Sequence, residues 1–180
     1  MRWVTRTHVH VDRVACPWLI RRFIDTEATF KFVTWPGYTL TNEDGIPFDF
    51  PDMDVAFTHH EGKCTFEVLI DHYSLDDPVL REMAFIIHSA DVTKDIDHSL
   101  DARGVELILS GLAYVSIDDQ QAIARGFVVC DSLYAGLLLR RLRQELNEEL
   151  AQMPREESYQ LLSAEFRKCL PTSIQVGPLE

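Results

Sequence analysis

The stretch Cys16-Pro-Trp-Leu-Ile-Arg-Arg-Phe-Ile-Asp-Thr-Glu-Ala-Thr-Phe-Lys-Phe-Val-Thr34 places a helical pattern directly before a strand pattern. In its first part, Leu19, Ile20 and Phe23 lie on one stripe of a helix. In its second part, the side chains alternate with the period of two that is typical of a strand. Because a short strand pattern, Trp3-Val-Thr5, precedes the helix, the order predicts a small β-α-β unit, with parallel pairing as one option.

Farther along the chain, the sequence predicts one more short strand and then mainly helices. Pro47-Phe-Asp-Phe50 follows a loop-rich stretch and fits an edge strand. Asp77-Pro78 predicts a helix start, because the aspartate can accept hydrogen bonds from free backbone amides and proline suits the first turn. A short helix that begins near Asp118 is predicted to end at Gly126, and residues 127–150 are predicted to form a long amphipathic helix.

Together these patterns predict an α+β protein with a small N-terminal β-sheet and a predominantly helical second half. We expect one domain over residues 1–150 and a C-terminal helical extension over residues 151–180, packed on the same domain. A stripe of leucines in the long helix would serve packing on the core or on a second subunit, so a homodimer stays open as an alternative. These are Leu139, Leu142, Leu146 and Leu150.

The charge of the chain limits its partners. Its 180 residues include 17 Lys and Arg against 29 Asp and Glu, a formal net charge of −12. Since nucleic acids and anionic lipid surfaces would be repelled, we expect neither a nucleic-acid nor a membrane partner. No uninterrupted apolar run approaches the roughly 20 residues of a membrane span. The start has no apolar signal segment and the four cysteines form no Cys-x-x-Cys pair, which favours a reducing cytoplasm.

The richest polar cluster combines residues 59–67 with a histidine and an aspartate downstream. His59 lies on a glycine-containing turn, Glu67 lies on the first turn of a helix, and His88 and Asp91 project from one helical face. Borderline divalent metals prefer imidazole and carboxylate ligands, so these four residues are a candidate site for Zn, Mn or Fe. The alternative is a solvated loop histidine and a hydrogen-bonded pair on the helix surface.

A second candidate group lies near the N-terminus. In an extended segment, His8, His10 and Asp12 would point to one face and form a chelating row. The alternative is an exposed strand or loop whose polar residues face outward.

The segment around Cys16 is a candidate oxyanion site, with Arg6, Asp12 and Arg13 as its binding residues. Pro17 is expected to open a helix, which would leave free backbone amides and the positive end of the helix dipole beside the Cys16 sulfur. We therefore expect the pKa of Cys16 to lie below that of a free cysteine, and Cys16 to be alkylated fastest of the four cysteines. The alternative is a buried packing residue, with Asp12 capping the helix.

Many of these residues occur in an order that resembles the chromate-resistance domain family, the C-terminal domain of ChrB-type chromate-resistance proteins. The resemblance runs over roughly residues 3 to 140, and its most specific part is the run from Asp12 to Arg22. The segments that carry it are Trp3–Arg6, Asp12–Arg13, Ala15–Asp25, Pro47–Asp49, His59–Glu67, Ala90–Asp91 and Asp131–Ala135.

The resemblance implies a role in bacterial chromate resistance, in which some members are chromate-responsive regulators beside a chromate transporter. Longer members carry an N-terminal region that this chain is expected to lack. If DNA binding resides there, the chain is a standalone sensing or catalytic domain. The family pattern includes the polar cluster at His59, Glu67 and Asp91, allows an arginine at position 88, and does not require histidines at positions 8 and 10.

Two functions from different classes follow as hypotheses. As a metal-dependent redox enzyme, the chain would use Arg6, Arg13 and Cys16 to bind or reduce chromate or a similar oxyanion beside the metal. Asp131 and Tyr134, which share a helix face, would supply hydrogen bonds or a proton. As a non-catalytic binding module, the same pocket would sense chromate or a metal and report to a partner.

Overall fold

The fold combines three short strands with seven helices in the part of the chain that the structure, a computed structural model, describes: residues 1–174. A π-helical turn, Ile20–Ile24, extends the first helix, and a 3-10 turn, Thr93–Asp95, follows the third. The protein is therefore α+β, as the sequence predicts. Strands β1 to β3 span Arg2–Arg6, Thr29–Val33 and Ile46–Pro47, and helices α1 to α7 span Val11–Leu19, Thr65–His72, Pro78–Asp91, Ala102–Val115, Asp119–Glu145, Asn147–Ala151 and Arg155–Cys169.

The strands form one parallel sheet in the order β2-β1-β3, with β1 in the centre. Trp3 of β1 pairs with Phe30 of β2 and with Ile46 of β3. Parallel strands need a crossover connection, and α1 with its π-helical turn supplies the one from β1 to β2. The predicted β-α-β unit is therefore present in its parallel form. Strands β1 and β3 end on the same edge, at Arg6 and Pro47, and open parallel sheets bind ligands at such an edge.

Helix α1 lies at the centre of the hydrophobic core. Every residue of α1 except Arg13 is buried, because α1 packs against α2, α3, α4 and α5. The ring of Trp18 lies nearly parallel to that of Phe66 in α2, with 6.4 Å between centroids, and also contacts Tyr134 in α5. Complete burial of a large apolar side chain contributes roughly 1.5–3 kcal/mol. This packing fixes the position of Asp12 at the start of the same helix.

Two residues that the sequence predicts as helix boundaries, one as a start and one as an end, lie inside helices. Helix α1 begins at Val11, well before Pro17, so the prediction that proline opens the helix is wrong. Proline removes one helical hydrogen bond, and the chain passes into the π-helical turn three residues later, at Ile20. Gly126 lies within the continuous α5, so the predicted end there is also wrong. A Cβ at Gly126 would lie 2.1 Å from Cγ1 of Val14, so the close approach of α1 and α5 requires glycine.

Helix α5 is 27 residues long and packs against α1, α3, α4 and α7. Arg125 and Asp131 interrupt its apolar run, yet by length and composition α5 is apolar enough to cross a membrane. Core helices of globular proteins share this length and composition, and 39% of the most apolar stretch of α5 is buried. In the leucine stripe, Leu142 is buried, and Leu162 of α7 is buried in the same core cluster. The end of the predicted extension, residues 175–180, lies outside the described residues.

Candidate functional site

A cavity of about 480 Å³ opens beside the ends of β1 and β3. A cavity of this size suits a small ligand. The loops after β1 and β3, the start of α1 and the end of α3 each contribute side chains, and most of these are charged. The lining residues are Arg6, His10, Arg13, Asp49, Pro51, Thr58, His59 and Asp91.

Asp12, in the first turn of α1, is the most deeply buried carboxylate of this site, with 1% of its surface exposed. Its Oδ2 accepts a hydrogen bond from the amide of Thr65 at 2.7 Å. Its Oδ1 is buried and has no hydrogen-bond donor among the described residues. Burial, together with the charge of Asp91, raises the pKa of Asp12 to about 6. Since a buried carboxylate oxygen without a donor is costly, a cation beside Oδ1 would be stabilised.

His59 lies among the carboxylates. Its Nε2 is 3.3 Å from Oδ2 of Asp12, 3.2 Å from Oδ2 of Asp91 and 3.8 Å from Oδ1 of Asp49. The hydrogen bonds to Asp12 and then to Asp91 raise the pKa of His59 to about 10. A proton on this ring therefore balances part of the negative charge, and a metal ion that took the nitrogen as a ligand would replace that proton.

Asp49 joins the acidic group to two arginines. Its Oδ2 accepts hydrogen bonds from Nη1 of Arg13 at 2.8 Å and from Nη2 of Arg6 at 3.1 Å. Its backbone has a φ of 54°, in the left-handed region that aspartate tolerates better than most residues. Arg13 also carries a buried Nε–H that has no acceptor in residues 1–174. The site thus contains a carboxylate oxygen without a donor and a guanidinium donor without an acceptor.

The donor atoms of Asp12, Asp49 and His59 all lie within 4.8 Å of one another. Asp91, which contacts His59, stands beside this group, and His10 Nδ1 lies 3.6 Å from Oδ1 of Asp91. Carboxylates with imidazoles fit Mn, Fe or Zn by donor type. Asp49 was not among the predicted site residues. Asp49 lies just past the carboxyl end of β3, a position that indicates a ligand-binding residue. That position can be recognised only when the pairing of β3 with β1 is known.

The four residues predicted as one metal site separate into two groups. His59 and Asp91 lie together at the cavity, as just described. Glu67 and His88 instead pair with each other, with 2.5 Å between Oε2 and Nδ1, and their donor atoms lie near the Cys64 sulfur.

The predicted row of His8, His10 and Asp12 is interrupted by the start of α1. His10 and Asp12 both contact Asp91, since the Asp12 amide donates to Oδ1 of Asp91 at 3.2 Å. His8 does not line the cavity, and its amide donates to Asp119 at the start of α5.

Cys16 lies in the interior of α1 and is completely buried. Burial raises the pKa of its thiol well above the usual range, and the charge of Asp12 acts in the same direction. The predicted low pKa is therefore wrong, because Pro17 does not open the helix and leaves no free amides beside the sulfur. Of the four cysteines, Cys169 is the exposed one.

Asp131 and Tyr134 do not line the cavity either, and both are engaged elsewhere in the core. Asp131 accepts hydrogen bonds from the indole of Trp18 at 2.7 Å and from two nitrogens of Arg22 at 2.9 and 2.6 Å. The hydroxyl of Tyr134 donates at 2.7 Å to Asp77, the residue that caps α3. The structure therefore does not bring Asp131 and Tyr134, two of the predicted catalytic residues, to the site.

Residues 3–137 match the family described as ChrB, C-terminal domain. The chain is also similar to a protein described as Protein ChrB from Cupriavidus metallidurans, with 38% identity over 134 residues. That segment covers 74% of this chain and 40% of the relative, so the match spans less than half of the relative's length. No solved structure matches the chain significantly.

Proposed function

This chain belongs to the family of ChrB C-terminal domains, and from that premise we propose that its cavity binds a divalent metal ion and, beside it, an oxyanion such as chromate. Family membership supports a role related to chromate resistance. The metal and oxyanion parts of the proposal rest on the cavity itself. The ligands would be Asp12, Asp49, His59 and Asp91, with His10 at the rim.

The observation that carries the metal proposal is the Oδ1 atom of Asp12. A buried carboxylate oxygen normally has a hydrogen-bond donor, and leaving it unsatisfied costs roughly 1–3 kcal/mol or more for a charged group. The same carboxylate lies 3.3 Å from His59 through its Oδ2, and His59 in turn lies close to Asp49 and Asp91. Three carboxylates and an imidazole are a metal-ligand set of ordinary composition. A divalent cation would satisfy the unpartnered oxygen and reduce the repulsion among the three carboxylates.

The charge balance supports an oxyanion as the second ligand. The three carboxylates and the guanidinium groups of Arg6 and Arg13 leave one net negative charge if His59 is neutral, as a metal ligand must be. A divalent cation would change this to one net positive charge. Chromate is a tetrahedral dianion, so the metal and the guanidinium groups of Arg6 and Arg13, which line the cavity, would bind its oxygens.

The burial of the cysteines favours binding over redox catalysis. Reduction of chromate needs an electron donor, and thiolates are the usual donors among side chains. Both Cys16 and Cys64 are buried and their pKa values are raised, so neither supplies a thiolate to the cavity in this state. We therefore infer a metal-dependent binding module, which would pass the signal to a partner.

Calorimetric titration tests the proposal. Protein stripped with a chelator should bind one Mn²⁺ at the cavity, and the Mn²⁺-loaded protein should then bind chromate at least tenfold more tightly than the stripped protein. His59→Ala should weaken both steps, whereas His60→Ala, a change at the exposed neighbouring histidine, should leave both unchanged. Equal chromate binding with and without Mn²⁺, or Mn²⁺ binding that survives His59→Ala, would reject the proposed site.

A further inference from the structure

A second group of metal-ligand side chains lies outside the cavity. It consists of the Cys64 sulfur, the Glu67 carboxylate and the His88 imidazole, whose donor atoms all lie within 4.8 Å of one another. Cys64 is the residue before α2, Glu67 lies in the first turn of α2, and His88 lies in the last turn of α3. Packing of α2 against α3 therefore assembles the group.

His88 is held in the orientation that metal-binding histidines commonly have. Its Nδ1 faces Glu67 at 2.5 Å, and its Nε2 lies 3.2 Å from Oδ2 of Asp95. In metal sites, the ring nitrogen that does not bind the ion usually donates to a carboxylate, which fixes the tautomer and the ring orientation. Asp95, in the 3-10 turn after α3, stands where that carboxylate is needed.

The exposure of the three side chains and the types of their donor atoms both fit a zinc site. The Cys64 sulfur is buried, whereas the Glu67 and His88 side chains are 27% and 17% exposed, so two of the three ligands reach solvent. One sulfur, one nitrogen and one oxygen donor suit zinc better than manganese, and three protein ligands leave a fourth tetrahedral position for water.

We propose that Cys64, Glu67 and His88 form a second metal site, selective for a zinc-type ion and independent of the cavity, with Asp95 as the positioning residue for His88. On binding, the Cys64 thiol would release its proton to solvent and coordinate as a thiolate. Without metal, the Glu67–His88 pair and the hydrogen bond from the Cys64 amide to Glu67 are sufficient to hold the three residues together.

Cobalt(II) distinguishes this site from the cavity, because a thiolate bound to Co²⁺ gives a near-ultraviolet charge-transfer band and oxygen or nitrogen ligands do not. We expect wild-type protein titrated with Co²⁺ to show the band, and Zn²⁺ to remove it by competition. Cys64→Ser should abolish the band, while Cys130→Ser, a change at an equally buried cysteine, should retain it. Glu67→Gln, a milder change at a partly exposed residue, should weaken Co²⁺ binding at least tenfold.

The variant His59→Ala, which removes a proposed ligand of the cavity, tests the second site independently of the proposed function. His59→Ala should retain the thiolate band while it loses the metal bound at the cavity. A wild-type spectrum without the band, or a band that survives Cys64→Ser, would overturn the second site and leave the cavity proposal untouched. If Cys16→Ser loses the band and Cys64→Ser retains it, the thiolate belongs to Cys16 in α1, and the second site is likewise overturned.

Discussion

Replacement of Asp12 by asparagine should stabilise the metal-free protein and abolish its stabilisation by metal. Asparagine retains an oxygen that accepts the hydrogen bond from the Thr65 amide, but it removes a buried charge that lies close to Asp91 and Asp49. A metal-ligand carboxylate stabilises the fold only when metal is bound, so in the metal-free protein its buried charge is expected to lower the free energy of unfolding.

The size of the effect follows from the pKa of Asp12. Burial and Asp91 raise it from the ordinary 3.8 to about 6, which corresponds to roughly 3 kcal/mol against the folded state once the group is ionised. Because the folded-state pKa is the higher one, the folded protein keeps a proton that the unfolded chain loses between about pH 4 and 6. Stability therefore falls as the pH rises through that window. The lost attraction between charge and helix dipole, about 0.3–1 kcal/mol, is too small to reverse the sign.

Thermal unfolding of chelator-treated protein measures this effect. For a chain of 180 residues, roughly 3 kcal/mol is about 6–12 °C in Tm, so Asp12→Asn should melt that much higher at pH 8 and equally at pH 4. With saturating Mn²⁺ only the wild type should gain stability. Asp44→Asn is the matched control. Because the ion pair with Lys31 holds the pKa of Asp44 below its usual range, its loss should lower the Tm. If metal-free Asp12→Asn melts below the wild type at pH 8, the charge is stabilising and the reasoning fails.

Three further outcomes are expected. Asp131→Asn should lower the free energy of unfolding in urea by about 2–3 kcal/mol, because it weakens three hydrogen bonds, two of them from an arginine. Metal binding measured by calorimetry should stay unchanged, and a loss of binding without a loss of stability would show that Asp131 belongs to the site. Gly126→Ala should destabilise by about 1–3 kcal/mol through its clash with Val14, and Val14→Ala should recover part of that loss; a neutral single variant would contradict the close packing. Because burial raises the pKa of Cys16, iodoacetamide should modify Cys169 near neutral pH and leave Cys16 unmodified up to pH 9, as mass spectrometry of the folded protein will show.

A local signal in the sequence predicted local structure correctly where packing did not override it. The start of α3 is the clearest example, since Asp77 accepts hydrogen bonds from the amides of Val79 and Leu80, as its place before Pro78 suggests. Everything needed for that prediction lies within four residues. Pro17 and Gly126 carry equally strong local signals, but the packing of α1 against its neighbours determines their environment, and no short window of sequence contains that packing.

The residue types of the site were predictable, but their grouping was not. His59, Glu67, His88 and Asp91 were identified by chemistry, and nothing along the chain shows that the first turn of α2 directs Glu67 to His88 and leaves His59 with Asp91. Asp49 shows the same limit. Its importance depends on a strand of two residues that pairs with the centre of the sheet.

The ligands proposed for the cavity come from four separate segments of the chain, so an ion held among them would act as a cross-link. Between Asp12, Asp49, His59 and Asp91 it would close loops of about 40, 10 and 30 residues, and closing such loops restricts the unfolded chain much as a disulfide does. The four cysteines of this chain form no disulfide. Metal supply would then govern how long the N-terminal half withstands proteolysis.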